Sequence, residues 1–582
     1  MRTSLLVFLI FTVVTASQAQ IFTKITSGPM VNDGGDSRAV NWIDYDNDGD
    51  IDLFVTNGPQ AGQNNFFYEN NGDGTFTKIT NIAITQDGKA SDGSSWGDID
   101  NDGDLDLFVA NWWGQPNLLY LNNGDKSFTF QQGILMTTET SYSETGSWGD
   151  YNNDGYIDLY VCNSGGNLRN FLFKNNGDGT FTKLSGGILT ETFESRNVDW
   201  IDFNNDGLPD IFVTNESNQN ENLYLNNGDD TFSSASVPSL LQNGGSTAGS
   251  NWEDFDNDGD FDVLLVNWGN QRNQLYLNNV DGTFTKLNEA PFTTDISSSF
   301  GSSVGDIDND GDLDIIISKA FTSQKTTNLL YINNNDGTFT KSNDAAVQDS
   351  GWTYGLAFGD YDNDGWLDLF EARCYNASEN NVLFHNNGGS NNWVMMNLEG
   401  VISNRSAIGA IVKMKAVIGG NPVWQMRKVV GQNGYCGQNL QVHFGLGAAS
   451  QIDSAIIQWP SGIIQNVNDL NINSYNTVVE DTTLVSVSTE SNQPPTGFQL
   501  FQNYPNPFNP TTQIGFQIEE SGFVTLKVYD VLGNEVAKLV DNYKPAGKHS
   551  VTWDANEQKS GVYFYTLISS NYQESKKMIL LR

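Results

Sequence analysis

An acidic nine-residue segment that recurs seven times constrains the fold of this chain more than any other feature. Its first copy is Asp44-Tyr45-Asp46-Asn47-Asp48-Gly49-Asp50-Ile51-Asp52, and the copies begin 54, 52, 52, 52, 52 and 54 residues apart. Alternate residues of a tight loop point inward, and a glycine at position 6 permits the sharp turn. Oxygen-bearing side chains at positions 1, 3, 5 and 9 therefore predict a site for a hard cation in every copy.

We expect that cation to be calcium, with up to seven ions bound, because carboxylate and carbonyl oxygens are the ligands that calcium takes. Seven Asp/Asn-Gly turns without metal are the alternative, although closely packed carboxylates repel each other when no cation is present. Asn at position 3 removes one charge and should weaken two of the sites. The predicted ligands, with position 7 acting through its carbonyl, are Asp44, Asp46, Asp48, Asp50 and Asp52; Asp98, Asp100, Asp102, Asp104 and Asp106; Asp150, Asn152, Asp154, Tyr156 and Asp158; Asp202, Asn204, Asp206, Leu208 and Asp210; Asp254, Asp256, Asp258, Asp260 and Asp262; Asp306, Asp308, Asp310, Asp312 and Asp314; and Asp360, Asp362, Asp364, Trp366 and Asp368.

The residues that follow each segment distinguish it from an EF-hand. An EF-hand needs a glutamate at position 12 and a helix on each side of the loop. Here position 12 is Val55 in the first copy, and Leu53-Phe54-Val55 is a short apolar run typical of a buried strand. The segments are therefore predicted to be cation loops within β-hairpins.

Each repeat of about 50 residues contains the signals of four strands, which is typical of a propeller blade. A strand with an aromatic residue precedes the loop, a buried strand follows it, and an Asn-Asn-Gly-Asp-Gly turn joins a third strand to a fourth. The seventh repeat lacks its fourth strand, whereas Phe22 lies in a fourth-strand pattern with no blade in front of it. We predict that residues 21–26 pair with residues 381–386 and close a seven-bladed ring.

These loops and turns resemble the FG-GAP, or integrin-α-type, repeats and the related VCBS repeats of bacteria over residues 20–388. The resemblance implies a calcium-binding β-propeller. Residues 389–481 contain Asn404-Arg405-Ser406 and His443-Phe444-Gly445 and resemble the ASPIC/UnbV domain, a small β-rich module. Asn404, Arg405 and His443 could form a site there, or they could be capping and turn residues of a packed module.

The two ends of the chain indicate export. Residues 1–19 have the basic start, the short apolar core and the small-x-small end of a signal peptide. Residues 482–497 form a polar linker, and residues 498–582 resemble the C-terminal sorting domain of type IX secretion cargo, an Ig-like β-sandwich. That resemblance implies contact with outer-membrane secretion machinery and a location at the outer-membrane surface or outside the cell. The whole chain is thus predicted to be all-β.

Composition excludes some classes of function. The formal charge of −41 leaves no basic stripe for nucleic acid. No apolar stretch is long enough for a transmembrane segment. The three cysteines are too few and too scattered for a disulfide framework.

Two classes of function remain at this stage. The first is a surface binding or adhesion protein for a glycan or protein ligand, and the second is a calcium-dependent polysaccharide lyase. The second strand of each repeat carries the chain to the face opposite the loops, where aromatic and basic residues suit stacking on a ligand. A lyase needs a cluster of basic and phenolic groups in one groove, and only three histidines occur in the chain. The candidate ligand rim on that face consists of Trp112, Trp113, Arg169, Trp268, Lys319 and Arg373.

Overall fold

The computed structural model describes two stretches of the chain. The first is residues 20–484, apart from 167, 243, 280, 281, 289, 335 and 336; the second is residues 498–581, apart from 502, 504, 505, 507, 509, 519–521, 532, 545, 546, 557, 570 and 571. They belong to two compact units, Met1–Val487 and Ser488–Arg582. The predicted signal peptide and most of the predicted linker lie outside the described residues. Within the described stretches, every helix is too short or too polar to cross a membrane.

The repeats form seven antiparallel sheets of four strands each within the described residues, and we number these sheets 1 to 7. Their strands are Ser37–Ile43, Asp52–Asn57, Phe66–Asn70 and Phe76–Ile79; Ser91–Gly97, Asp106–Asn111, Leu118–Asn122 and Phe128–Phe130; Ser143–Gly149, Asp158–Asn163, Phe171–Asn175 and Phe181–Lys183; Ser195–Ile201, Asp210–Asn215, Asn222–Asn226 and Phe232–Ser234; Thr247–Glu253, Asp262–Asn267, Gln274–Asn278 and Phe284–Leu287; Ser299–Gly305, Asp314–Lys319, Leu329–Asn333 and Phe339–Lys341; and Thr353–Gly359, Asp368–Arg373, Val382–Asn386 and Phe22–Ile25.

The first strands of the seven sheets contact one another in cyclic order, and that of sheet 7 returns to that of sheet 1. These strands therefore line the axis of a β-propeller, and the fourth strands lie at its circumference. Large aromatic side chains fill the space between neighbouring sheets, because each sheet buries both of its faces. Trp42 of sheet 1, for example, is fully buried against Phe370 of sheet 7 at 6.1 Å between ring centroids.

The N-terminal strand closes the ring as predicted. Phe22–Ile25 pairs antiparallel with the third strand of sheet 7, with Phe22 opposite Asn386 and Ile25 opposite Leu383. The side chain of Phe22 is fully buried. Without this strand, the third strand of sheet 7 would expose an unpaired edge.

Short elements connect neighbouring sheets on the face opposite the acidic loops. Four small two-stranded ladders lie there: Gly34–Gly35 with Glu379–Asn380, Gln115–Pro116 with Thr140–Ser141, Gln271–Arg272 with Ile296–Ser297, and Thr326–Thr327 with Ser350–Gly351. The short α-helices are Leu135–Thr138, Pro238–Leu241 and Pro291–Thr294, and the 3₁₀ turns are Pro29–Val31, Ala83–Thr85, Gly187–Thr190, Ala345–Val347 and Tyr375–Ala377.

Residues 389–481, which we call the module, form two small sheets and belong to the same compact unit as the propeller. One sheet has the order Val442–Gly447, Asn392–Glu399 and Tyr475–Val479; the other has the order Asn421–Lys428, Ile411–Ile418, Ser454–Gln458 and Ile464–Asn466. One further strand, Gly437–Asn439, leaves the module and pairs parallel with the first strand of sheet 1. The module is β-rich, as its sequence pattern predicts, and it lies in the same compact unit as the propeller.

The second compact unit contains two antiparallel sheets, which share one hydrophobic core. Their strands are Gln499–Leu500, Thr511–Ile518 and Gly547–Asp554; and Glu535–Lys544, Gly522–Tyr529, Gly561–Ser569 and Tyr572–Leu580. Leu526 and Phe516, from different sheets, are both fully buried in this core. Two sheets around one core form a β-sandwich, and its Ig-like character remains a prediction.

Candidate functional site

Each acidic loop is organised by its own backbone amides. In the first loop, the Asp44 carboxylate accepts hydrogen bonds from the backbone N–H groups of Asp48 and Gly49 at 3.1 and 3.0 Å. The Asp52 carboxylate accepts from the N–H groups of Tyr45 and Asn70 at 3.3 and 2.7 Å. Positions 1 and 9 are therefore fixed by the fold before any ion binds.

Carboxylate oxygens converge in the loops as the spacing predicts. Ligand atoms lie within 4.8 Å of one another for positions 1, 3 and 5 of the first loop and for positions 1, 3 and 9 of the second, fifth and sixth loops. In the seventh loop, positions 3 and 5 converge with the side chain of His385. Such spacing fits a cation with several oxygen ligands.

Position 3 supplies acceptor atoms that the protein itself leaves unsatisfied. The Oδ1 atoms of Asp46, Asp308 and Asp362 are buried without a hydrogen-bond partner, while the Oδ2 atom of Asp46 forms an ion pair with Lys126 at 2.5 Å. Buried acceptors without partners are rare in folded proteins and are explained by an ion or water that completes them. These three residues therefore fit a bound cation better than an empty turn.

Burial raises the pKa of the carboxylates at positions 1 and 9 of the loops, and the neighbouring carboxylates raise it further. The pKa of Asp44 is raised to about 6 and that of Asp52 to about 9, in both cases chiefly because burial disfavours the charged form. A divalent cation would offset this penalty by its charge.

In the two loops with Asn at position 3, the asparagine side chain forms a hydrogen bond with the position-5 carboxylate of the same loop. The Asn152 amide donates to Asp154 at 2.9 Å, and the Asn204 amide donates to Asp206 at the same distance. The position-5 carboxylates are thus engaged by a neutral neighbour, which agrees with the expectation of weaker cation binding there.

The asparagine at position 4 donates a hydrogen bond to the next loop in copies 1, 2, 3, 5, 6 and 7, a role that we did not predict from the sequence. Each of the seven asparagines has a φ between 54° and 61°, and the side chain of Asn47 donates to the Gly103 carbonyl of the next loop at 3.1 Å. Asn101 donates to Gly155 in the same way at 2.9 Å. The signal was visible as an Asn at position 4 of all seven copies, since Asn tolerates the left-handed conformation.

The module covers much of the face that carries the loops. Ser406 accepts from the backbone N–H of Asp98 at 2.7 Å, and Tyr475 donates to the Asp360 carboxylate at 2.7 Å. The backbone of Gly447 donates to the Asn309 carbonyl at 2.7 Å. Loops 2, 6 and 7 are consequently in contact with the module, although Asp100, Asp102 and Asp364 remain exposed to solvent.

Residues 430–441 of the module enter the axial channel of the propeller, and we call them the plug loop. Their polar groups bond to the first strands of all seven sheets in the described structure. Backbone bonds join Val40 to Cys436 at 2.8 Å and Ser302 to Gly434 at 2.9 Å. The Gln438 side chain exchanges two bonds of 2.8 Å with the Trp96 backbone. The remaining partners are Glu144, Arg196, Ser250, Tyr354 and Phe358.

The tip of the plug loop, Tyr435, ends in a polar network. Its hydroxyl donates to Glu144 at 2.8 Å and lies 2.8 Å from the Tyr354 hydroxyl and 3.3 Å from an Arg196 nitrogen. Arg196 also pairs with Glu144 at 2.8 Å and Glu216 at 2.9 Å. Glu144, Arg196 and Tyr354 occupy equivalent repeat positions, together with Arg38, Asp92, Ala248 and Phe300. The charges at this end of the channel are therefore paired with one another.

The predicted rim residues fall into two groups. Trp113 is 41% exposed and packs edge-on against Trp112 at 4.4 Å, while Arg169 is exposed. Trp268 and Lys319 are half-buried. Arg373 does not lie on the rim as predicted. It is buried and forms ion pairs with Glu371 at 2.7 Å and Asp349 at 2.8 Å, so its charge is neutralised by these neighbours and is not presented to a ligand.

A second group of aromatic residues on this face was missed at the sequence level. Phe321 is 44% exposed, packs 5.5 Å from Trp352, and Trp352 lies 4.7 Å from Tyr375. These residues come from loops of unequal length, so the repeat pattern gives no signal for them. They extend the apolar part of the rim across sheets 6 and 7.

Three family models match the chain. The model for FG-GAP-like repeats matches residues 44–109, 98–161, 150–213, 202–265, 254–317 and 320–371, which together make up more than half of the chain. The ASPIC and UnbV model matches residues 400–485, and the model for a secretion system C-terminal sorting domain matches residues 502–581. A sorting domain of this kind indicates export by type IX secretion to the cell surface or beyond.

The relatives found by sequence include cartilage acidic protein 1 of two vertebrates. The Xenopus tropicalis protein is 25% identical over 484 residues, covering 74% of this chain and 72% of its own length. The human protein is 28% identical over 289 residues, covering 46% of this chain and 41% of its own length.

The solved structures found to be similar to this chain have low TM-scores. PorZ of Porphyromonas gingivalis, a surface component of the type IX secretion system, is 11% identical, with 94% of this chain and 81% of PorZ covered and a TM-score of 0.23. A six-bladed lectin from Aleuria aurantia is 11% identical, and the match covers 54% of this chain and 98% of the lectin with a TM-score of 0.32. Neither score supports an inference about function.

Proposed function

This chain belongs to the FG-GAP-like repeat family, and from that premise we propose that it is a calcium-stabilised surface protein that binds a glycan or a protein. Its propeller has seven blades, and its C-terminal domain is an Ig-like sandwich that engages the outer-membrane secretion machinery. Seven four-stranded sheets with cyclic contacts and a paired N-terminal strand support the blade number. The two-sheet C-terminal unit supports the sandwich.

The unsatisfied position-3 carboxylate oxygens are the observation that carries the calcium proposal. Asp46 is the strongest case, because its side chain is only 5% exposed and its Oδ1 atom has no donor. Lys126 pairs with the Oδ2 atom of Asp46 at 2.5 Å, and calcium would supply the positive charge that the Oδ1 atoms lack. The chain's own residues fix the ligands, because backbone amides hold positions 1 and 9 and the position-4 asparagines of six loops donate to the following loop.

The exposed rim around Trp113 is the surface that best suits a ligand. An indole backed edge-on by Trp112 offers a rigid apolar face, and Arg169 of the neighbouring sheet 3 is exposed on the same face. Rigid aromatic surfaces with polar neighbours suit stacking on sugar rings or on peptide side chains. Trp268 and Lys319 would act as supporting groups, and we assign no ligand contact to Arg373.

The polar groups around Tyr435 at the rim end of the axial channel, which we call the channel mouth, favour a binding protein over the alternative, a lyase built on the propeller. Within the described residues, the acidic and basic side chains at the channel mouth form ion pairs with one another, and we find no other cluster of paired titratable groups at this end of the channel. Arg38 lies 3.7 Å from Asp92, Arg196 pairs with Glu144, and the plug loop contacts both pairs. Groups that are satisfied by one another are poorly placed to move a proton on a substrate.

A glycan-array and peptide screen with the purified chain in calcium tests this function. We expect a ligand whose affinity falls at least tenfold, about 1.4 kcal/mol, in Trp113→Ala and Arg169→Ala. Trp424→Ala, which removes an exposed indole of the module, is the matched control and should bind normally. Acidic polysaccharides are incubated in parallel and followed by the ultraviolet absorbance of unsaturated products.

Two results would refute the proposal. Binding that survives both rim substitutions would place the ligand elsewhere. Release of unsaturated products that a mutation at the channel mouth abolishes would establish the lyase.

A further inference from the structure

A cavity lies between the loop-bearing face of sheets 3 to 5 and the module. Its volume is about 220 Å³, and Trp200, Trp252, Lys428 and Trp459 are among the residues that line it. A second cavity of about 90 Å³ adjoins it and shares Glu253 and Lys428 as wall residues. The cavities are distinct from the rim, because they lie on the opposite face of the propeller.

Several buried polar atoms around these cavities have no hydrogen-bond partner. The acceptors are Oε2 of Glu253 and Oε1 of Gln432 and Gln441, the potential donor is Nε1 of Trp252, and the neutral ring of His443 offers one donor and one acceptor nitrogen. His443, Trp252 and Gln432 are 8%, 7% and 2% exposed. A buried polar group without a partner costs about 1–3 kcal/mol, so such a concentration at one place indicates a missing partner.

Of the five tryptophans at this repeat position, Trp96 and Trp252 have an indole N–H without a hydrogen-bond partner, and of these two Trp252 lines the cavity. The equivalent residues Trp148 and Trp200 donate to the backbone carbonyls of Ser95 and Ser147 in the preceding sheets, at 3.0 and 3.1 Å. Trp252 makes no such bond, although it occupies the same repeat position. Its N–H is therefore available to a molecule in the cavity.

Glu253 is also exceptional among the repeats. The residue directly before the first aspartate of the acidic loop is Ile43, Gly97, Gly149, Ile201, Gly305 or Gly359 in the other sheets. The strand geometry thus does not require a carboxylate at this position. A charged side chain placed in a cavity, with one oxygen unsatisfied, points to recognition of a partner group.

The chemistry of the walls determines the class of ligand. The unsatisfied atoms include both donors and acceptors, and a hydroxyl group can serve both because it donates and accepts. Outside the acidic loops, the walls of the two cavities carry the carboxylates of Asp199 and Glu253 and the cations Arg427, Lys413 and Lys428. The other wall carboxylates, Asp150, Asp202, Asp260 and Asp306, belong to the predicted calcium loops, whose ions would offset their charge. The indoles add apolar wall, which suits the C–H face of a sugar ring.

We propose that the cavity between propeller and module binds a neutral sugar, recognised through its hydroxyl groups by Glu253, Trp252 and Gln432. Exposed residues at its outer edge, including Asn205 and Gln458, give it access to solvent. The proposal does not depend on the rim ligand of the proposed function.

The test measures binding of neutral mono- and disaccharides to the full chain in calcium by calorimetry and tryptophan fluorescence. We expect at least one sugar to bind more tightly than about 10 mM. Glu253→Ile should weaken that binding at least tenfold, and the chain itself carries Ile at this position in sheets 1 and 4. Gln432→Leu is the second variant and should weaken binding in the same way, in case Glu253→Ile fails to fold.

The rim substitution Trp113→Ala is the control and should leave this binding unchanged. Failure of every sugar to bind would mean that the cavity holds only water and would overturn the proposal. Loss of binding in Trp113→Ala, with retention in folded Glu253→Ile, would move the sugar to the rim and would equally overturn it.

Discussion

The hydroxyl of Tyr435 is the most informative single group to remove, because it joins the module to the far end of the propeller channel. Tyr435→Phe deletes the bonds to Glu144, Tyr354 and Arg196 while leaving the ring against Phe300 at 5.6 Å. No cavity is created, so the loss consists of hydrogen bonds alone. Bonds to charged groups contribute about 1.5–3 kcal/mol. Glu144 retains Arg196, and we therefore expect a loss of about 2–3 kcal/mol.

The assay is thermal unfolding of the full chain in calcium, followed by tryptophan fluorescence. An unfolding entropy of about 2.1 cal/mol/K per residue gives roughly 1 kcal/mol per degree for a unit of this size. Tyr435→Phe should thus lower the midpoint by about 2–3 °C. Tyr375→Phe, on the rim, is the matched control and should shift it by less than about 1 °C.

A second substitution tests insertion of the loop more severely. Gly434 has a φ of +59°, and a Cβ atom there would lie 1.8 Å from the Ser302 carbonyl oxygen. Gly434→Ala should therefore expel the plug loop and expose residues 430–441 to protease. If both variants unfold like the wild type and resist protease equally, the loop does not occupy the channel in solution, and our account of the module is wrong.

Four further outcomes are expected. Chelation of calcium should lower the melting temperature strongly, since each site contributes about 2.7 kcal/mol at 100-fold excess over its dissociation constant; Asp102→Ala should cost more than Asp154→Ala, and a melting curve insensitive to calcium would exclude the metal. Phe22→Ala should cost about 3–5 kcal/mol and promote aggregation through the exposed edge of sheet 7, as light scattering can show. A chain truncated at Asn492 should remain in the periplasm with its propeller folded, and its appearance at the cell surface would rule out residues 498–582 as a sorting signal. Burial lowers the pKa of His443 to about 3, so stability present above pH 6.5 should be lost as the pH falls toward 3; the urea midpoint of His443→Gln should fall less over this range, and parallel curves would contradict it.

The sequence alone was sufficient for the repeated architecture, because its signals are local. The acidic loop, the buried strand after it and the turn between the third and fourth strands each depend on neighbouring residues. The closing strand was also predictable, since Phe22 has the spacing of a fourth strand and the seventh repeat lacks one. Convergence of Asp44, Asp46 and Asp48 likewise follows from alternation within one loop.

Only the tertiary structure decided what lies around those loops. The module covers their face and sends Tyr435 through the channel, and these contacts join residues hundreds of positions apart in a part of the chain without a repeat. The rim shows the same limit: spacing placed Arg373 at the end of its strand, but Glu371 and Asp349 withdraw its charge from the surface. Periodicity determines local geometry, whereas burial and charge pairing depend on which distant segments meet.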